Sequence, residues 1–173
     1  SDFSVLRSRS KIYVDKTCLI NELVRDDGFY FLSRPRRFGK TLLVSTVESL
    51  FKDGLRYFKG LAIADHWHDK TYPVIRMDFT ACRIFQSIEE FKAKFENMVF
   101  SASESAGFTL PKIGIRGIGS VADAFEKILK NDASSPVLLM DEYDAPLNSC
   151  LHAPKLFEEV QAELFSFYDC LKR

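Results

Sequence analysis

The stretch "FLSRPRRFGKTLL", residues 31–43, decides how the rest of this chain is read. An apolar run ending at Ser33 meets three arginines, then Gly39, Lys40 and Thr41. Residues 29–33 have the length and composition of a strand. Leu43, Val47, Leu50 and Phe51 then recur at helical spacing until Asp53 and Gly54. The segment therefore reads strand, loop, helix. A cationic loop at such a junction suits a triphosphate, a nucleic acid, or plain solvation.

The phosphate loop G-x-x-x-x-G-K-[ST] is matched at its last three positions by Gly39, Lys40 and Thr41, with Arg34 where the first glycine would stand. Its chemistry needs backbone N–H groups converging at a helix N-terminus. Gly39 can take the necessary backbone conformation because it has no Cβ. Lys40 would reach the β- and γ-phosphates, and the Thr41 hydroxyl would ligand Mg²⁺. Arg36 and Arg37, like Arg34, either offer a guanidinium fork to phosphate or stand solvated. The expected nucleotide-holding segment is Arg36, Arg37, Phe38, Gly39, Lys40, Thr41 and Leu42.

A triphosphate site also needs a carboxylate for the hydrated metal. Val137, Leu138, Leu139 and Met140 form an apolar strand, expected to be central and buried, that ends in Asp141 and Glu142. In open α/β sheets ligands bind at the carboxyl ends of strands. Asp141 is thus the expected metal carboxylate, and Glu142 is placed to polarise a water toward the γ-phosphate. Asp144 either orients a cation or metal or, as we favour, shapes the turn before Pro146.

Elsewhere, residues 12–14 read as a short strand. Leu19, Ile20, Leu23 and Val24 give a helix that starts near Asp15. Residues 55–72 look irregular, anchored by Phe58, Leu61, Ile63 and Trp67. Residues 73–79 ("PVIRMDF") read as a strand. Ser87 and Glu90 form a capping box before the stripe Ile88, Phe91, Phe95, Met98 and Val99. Ser- and Gly-rich residues 101–119 read as a mobile connection, in which "GIRGIG" at 114–119 has no convincing strand before it. Ser120 caps a further helix, residues 131–136 are a loop, and Pro154 opens a final helix carrying Leu156, Phe157, Val160, Leu164 and Phe167. Strands alternating with helices predict an α/β fold with a mostly parallel sheet covered on both faces, in one domain over 1–173.

Of the 173 residues, 46% are hydrophobic and 28% charged, and the formal net charge is zero. No global basic field points to nucleic acid or an acidic membrane. No run reaches the roughly 20 apolar residues of a membrane span. The four cysteines lack C-x-x-C spacing, which suits isolated buried thiols in a reducing, cytoplasmic compartment. His66 and His68 lack a third ligand and read as a surface loop. Sixteen phenylalanines imply an aromatic core or a face that packs on something else.

Four segments resemble the bacterial AAA-ATPase-like proteins: "YVDKT" at 13–17, "RPRRFGKTL" at 34–42, "YPVIRMDF" at 72–79 and "LLMDEYDAPL" at 138–147. They run in order along almost the whole chain, and the arginine at 34 belongs to the family's pattern. The resemblance implies a three-layer P-loop NTPase-type domain that binds ATP and Mg²⁺. Lys40 and Thr41 look like its Walker A pair, and Asp141 and Glu142 like its Walker B pair. It implies a PD-(D/E)XK nuclease-like domain downstream, so the chain reads as the N-terminal part of a longer protein. It stops before the strand expected to carry a γ-phosphate sensor. The implied activity is ATP hydrolysis that drives or gates that downstream domain, with Lys40 and Glu142 catalytic and a homo-oligomer compatible with it. Three alternatives stand beside it: a nucleotide switch that does not hydrolyse, a nucleic-acid-binding module that uses the arginines, and a P-loop kinase, against which the Asp-Glu pair favours attack by water.

Overall fold

The computed structural model describes residues 2–172 apart from 27, 34, 36, 115–118 and 131–134. Arg34 and Arg36, with the roles expected of them, and parts of the loops at 114–119 and 131–136 lie outside the described residues. The chain forms two compact units, residues 1–74 and 75–173. No helix among the described residues is long and apolar enough to cross a membrane.

The first unit carries α1 (Phe3–Ser8), α2 (Thr17–Leu23) and α3 (Lys40–Asp53), followed by 3-10 turns at Gly54–Tyr57 and Ala62–Asp65. Its core gathers around Phe3, which is fully buried and lies 4.7 Å from Phe58 and 5.0 Å, edge-on, from Tyr13. Phe58, Leu61, Ile63 and Trp67 are buried as expected. Trp67 packs edge-on against Phe51 at 5.5 Å. Arg7 ties α1 to the first 3-10 turn, donating from Nε to the Tyr57 carbonyl and from Nη2 to the Lys59 carbonyl.

The "YVDKT" segment acts here as a latch. Asp15 Oδ1 accepts from the Thr17 N–H at 2.9 Å and the Thr17 hydroxyl at 2.7 Å, and Asp15 Oδ2 accepts from the Ala62 N–H at 2.8 Å. Thr17 Oγ1, fully buried, accepts in turn from the Ile63 N–H at 3.1 Å. Two side chains thereby satisfy the leading N–H groups of the second 3-10 turn, which has no side-chain cap of its own at Leu61. Burial alone would push the Asp15 carboxyl up, but the hydrogen bonds from Thr17 and Ala62 outweigh it and hold the group below its ordinary value.

Two strand readings fail in this unit. Residues 12–14 are not a strand; Tyr13 turns in against Phe3, while Ile12 and Val14 stand exposed. Residues 29–33 do not form a strand. Phe29, Tyr30 and Phe31 are more than half exposed. A strand is defined by its neighbour's hydrogen bonds, and an apolar run alone cannot supply them.

The second unit holds most of β1 (Val74–Asp78), then α4 (Ile88–Ser105), α5 (Val121–Leu129), β2 (Val137–Asp141), α6 (Ala145–Cys150) and α7 (Pro154–Cys170). The two strands pair in parallel, so the α/β class holds, with a small sheet among the described residues. The helix starts follow their caps. Ser87 Oγ accepts from the Glu90 N–H, and Glu90 Oε2 reaches back to the Gln86 N–H at 2.9 Å, one residue before the position a standard capping box uses. Ser120 Oγ accepts from the Asp123 N–H at 3.1 Å. The run expected as a connection from 101 is helical through Ser105, as the last turn of α4.

Phenylalanines make this core. Phe91 stacks on Phe95 at 5.6 Å, Phe95 meets Phe167 edge-on at 5.2 Å, and Phe125 lies 5.3 Å from Phe167; all four are fully buried. Such pairs add roughly 0.5–1.5 kcal/mol each beyond area burial. Cys82, Cys150 and Cys170 are buried free thiols, whereas Cys18 is exposed. Burial pushes the Cys82 thiol up to about 11. The four apolar residues of β2 are only half-buried, not buried as a central strand would be. With β1 as its one neighbour among the described residues, β2 keeps an open edge.

Candidate functional site

The expected cationic segment is the turn into α3. Arg37 and Gly39 both take left-handed backbone, at φ 66° and 77°. A Cβ on Gly39 would meet nothing within 4 Å, so the demand for glycine there is conformational, not spatial. The Phe38 N–H folds back to the Pro35 carbonyl at 3.4 Å, and the first helical bond runs from Leu43 N–H to the Gly39 carbonyl at 2.9 Å. Turns with left-handed residues direct successive N–H groups to one side, and a helix's first turn leaves its N–H groups without intrahelical acceptors. Gly39, at the N-cap position of α3, has no side chain to cap it, and the first turn holds no acidic residue. Lys40, Thr41 and Leu42 there are half-buried, whereas Arg37, Phe38 and Gly39 are exposed.

This helix is held from behind. Ser45 Oγ accepts from the Phe3 N–H at 3.0 Å, and the Tyr13 phenol, pushed up chiefly by burial, meets the Thr46 hydroxyl. Ser45, Thr46, Val47 and Leu50 are buried, so the face opposite the loop is fixed in the core of the first unit.

The expected acidic pair stands at the end of β2 in the second unit. Asp141 is 5% exposed. Its Oδ1 accepts from the Glu142 N–H at 3.1 Å, and its Oδ2 lies 3.9 Å from Arg76 Nη2 on β1. Glu142 is half-buried and left-handed at φ 52°, a strained conformation for a residue with a side chain. The turn closes with the Ala145 N–H on the Glu142 carbonyl at 2.8 Å. Asp144 stands at the N-cap position of α6, where its Oδ2 accepts from Asn148 Nδ2 at 2.9 Å, in keeping with a structural role. Tyr168 on α7 has its phenol pushed up to about 12 by burial, with Tyr143 and Asp144 adding to it. Its hydroxyl is buried without a hydrogen-bond partner among the described residues.

The sequence reading placed Arg37 through Leu42 in one turn and Asp141 and Glu142 at one strand end, and each set is local in the structure. The two sets belong to different compact units. Spacing alone assigns Arg76 no role, because pairing across neighbouring strands leaves no periodic signal. The Thr41 hydroxyl and the Asp141 carboxylate are each hard oxygen donors of the kind Mg²⁺ takes. No group of three or more metal-binding side chains occurs among the described residues.

Residues 1–173 match in full a family model described as predicted AAA-ATPase. A curated relative, an uncharacterized protein in the vnfD 5' region of Azotobacter chroococcum mcd 1, is 29% identical over 161 residues, which cover 92% of this chain and 31% of the relative. The chain thus spans about a third of that relative's length. No solved structure matches it.

Proposed function

We propose that this chain, which belongs to the AAA-ATPase-like family, binds ATP with Mg²⁺ through the α3 turn and the β2 end and hydrolyses it. The observation that carries this reading is the backbone at the start of α3, entered through left-handed Arg37 and Gly39 and opening on Lys40 and Thr41. Backbone N–H groups there, with the helix dipole, suit phosphate oxygens. In this reading the chain supplies a three-layer P-loop NTPase-type domain over 1–173.

Each residue has a distinct task. Arg36, Arg37, Phe38, Gly39 and Leu42 line the phosphates with the loop and first turn. Lys40 holds phosphate charge at the β- and γ-positions. The Thr41 hydroxyl and Asp141 carboxylate would hold Mg²⁺, which when bound neutralises charge on the triphosphate. Glu142 accepts the proton of the attacking water. In a chain as long as the relative, nucleotide state would gate a further domain, and a nuclease-like one is the partner that the resemblance implies.

Glu142→Gln separates hydrolysis from mere binding. The variant should bind Mg-ATP as the wild type does and lose turnover by about 10²-fold or more. Equal turnover in both proteins removes Glu142 from the chemistry. Binding without measurable turnover in the wild type leaves a nucleotide switch. Nucleic-acid binding that survives both Lys40→Ala and excess ATP would favour the arginines as a nucleic-acid contact.

A further inference from the structure

Asp141 is an acid buried to 5% exposure, and an ionised carboxylate in such a place needs compensation. One source is the Glu142 N–H on Oδ1 at 3.1 Å. The other is Arg76, whose Nη2 lies 3.9 Å from Oδ2. That separation is too long for a direct hydrogen bond and short enough for a strong charge interaction. Arg76 sits in the middle of β1 between fully buried Ile75 and Met77, so the sheet fixes its backbone. Its side chain is 24% exposed, which leaves solvent near the guanidinium while Asp141 stays covered.

We infer that Arg76 is a positioning residue of the metal site: it is the resident counter-ion of Asp141 and makes cation entry depend on nucleotide. This rests on Asp141 being the metal carboxylate of the proposed function. Without nucleotide, a divalent cation at Asp141 would be the second positive charge on one carboxylate, a few ångströms from a guanidinium. Like charges at that range, beside a buried group, repel strongly. The triphosphate brings several negative charges and reverses the balance. The cation then arrives with the nucleotide and not before it. The roles divide cleanly: Arg76 touches neither phosphate nor water in this scheme and acts only through Asp141.

The test reads cation binding, not activity. Mn²⁺ alone is titrated by electron paramagnetic resonance into wild type, Arg76→Gln, Arg76→Lys and the double variant Arg76→Gln/Asp141→Asn. Nucleotide-free Mn²⁺ binding should tighten about tenfold or more in Arg76→Gln. It should stay as in wild type in Arg76→Lys, which keeps the charge, and the gain should vanish in the double variant. Unchanged or weaker binding in Arg76→Gln, or a gain that survives the loss of Asp141, overturns the inference. The wild type gives a check that needs no substitution: Mn²⁺ should bind far more tightly with a non-hydrolysable ATP analogue than alone, and equal affinity counts against the idea. Failure of the broader reading looks different. If Arg76→Gln gains Mn²⁺ at Asp141 while the wild type binds no ATP, the nucleotide proposal falls and the counter-ion role stands. If ATP binds in a Lys40-dependent way while Mn²⁺ ignores Arg76, only the counter-ion role falls.

Discussion

Thr17→Val tests the latch that builds the first unit. Valine keeps the shape of a fully buried side chain and removes its hydroxyl. Two bonds go: the Ile63 N–H to Oγ1 at 3.1 Å, and the hydroxyl to Asp15 Oδ1 at 2.7 Å. The Ile63 amide is then left buried without its acceptor, at a cost of about 1–3 kcal/mol. Asp15 is exposed and keeps the Thr17 and Ala62 N–H groups, so water compensates most of its loss. The extra apolar surface of valine returns a few tenths, which leaves a net loss of about 2 kcal/mol. For a unit of this size each kcal/mol moves Tm by about 4–8 °C, so the expected fall is about 8–16 °C. Trp67 is the single tryptophan of the chain and lies buried in the same unit, edge-on to Phe51. Its fluorescence in urea titrations therefore reports this unit. Asp15 adds a pH signature. Its native carboxyl titrates below its unfolded value, so its contribution is fully present above about pH 4 and is lost as pH falls through the lowered native value. Thr17→Val should shrink that acid dependence. A shift of the urea midpoint worth less than about 0.5 kcal/mol would refute the claim that Thr17 closes the latch.

Tyr168→Phe removes a buried hydroxyl without a described partner and should be neutral or stabilising by up to about 1 kcal/mol, measured by circular dichroism melting. The native Tyr168 phenol lies near 12, above its ordinary value of 10.0, so its contribution is intact below about pH 10 and lost as pH rises through 12. The phenylalanine variant should flatten that alkaline loss, and an unchanged profile counts against burial as its cause. Glu142→Gly relieves the left-handed strain at φ 52° and should raise stability by up to about 1 kcal/mol while ending ATP turnover; a loss of stability there would mean that the conformation carries no strain.

Legibility followed locality. The helices α3, α4, α5 and α7 were readable because their apolar stripes and the Ser87 and Ser120 caps sit within a few residues of what they organise. Strands β1 and β2 were readable as β-branched or apolar runs with sharp ends. The same signal misled at residues 29–33, because composition cannot say whether a neighbour exists to pair with. Helix α1 was missed because only Phe3 of its six residues is buried, and it is held by distant partners, the Ser45 hydroxyl and the Tyr57 and Lys59 carbonyls. The sequence reading stops at the turn before Pro146 and passes over helix α6, although Pro146 in its first turn marks a helix start. At the site, the order of residue types announced the α3 turn and the Asp-Glu strand end. The partnership of Arg76 with Asp141, and the use of "YVDKT" to cap a turn far along the chain, depend on tertiary neighbours that no spacing encodes.

The central claim is that one Mg-ATP engages both the α3 turn and the β2 end. Calorimetric titration of Mg-ATP into the wild type, Lys40→Ala and Asp141→Asn tests it directly. The account predicts binding in the wild type, weakened about tenfold or more by Lys40→Ala at any Mg²⁺ level and by Asp141→Asn only when Mg²⁺ is present. Wild-type affinity retained in both variants, or no heat of binding in the wild type, would contradict it.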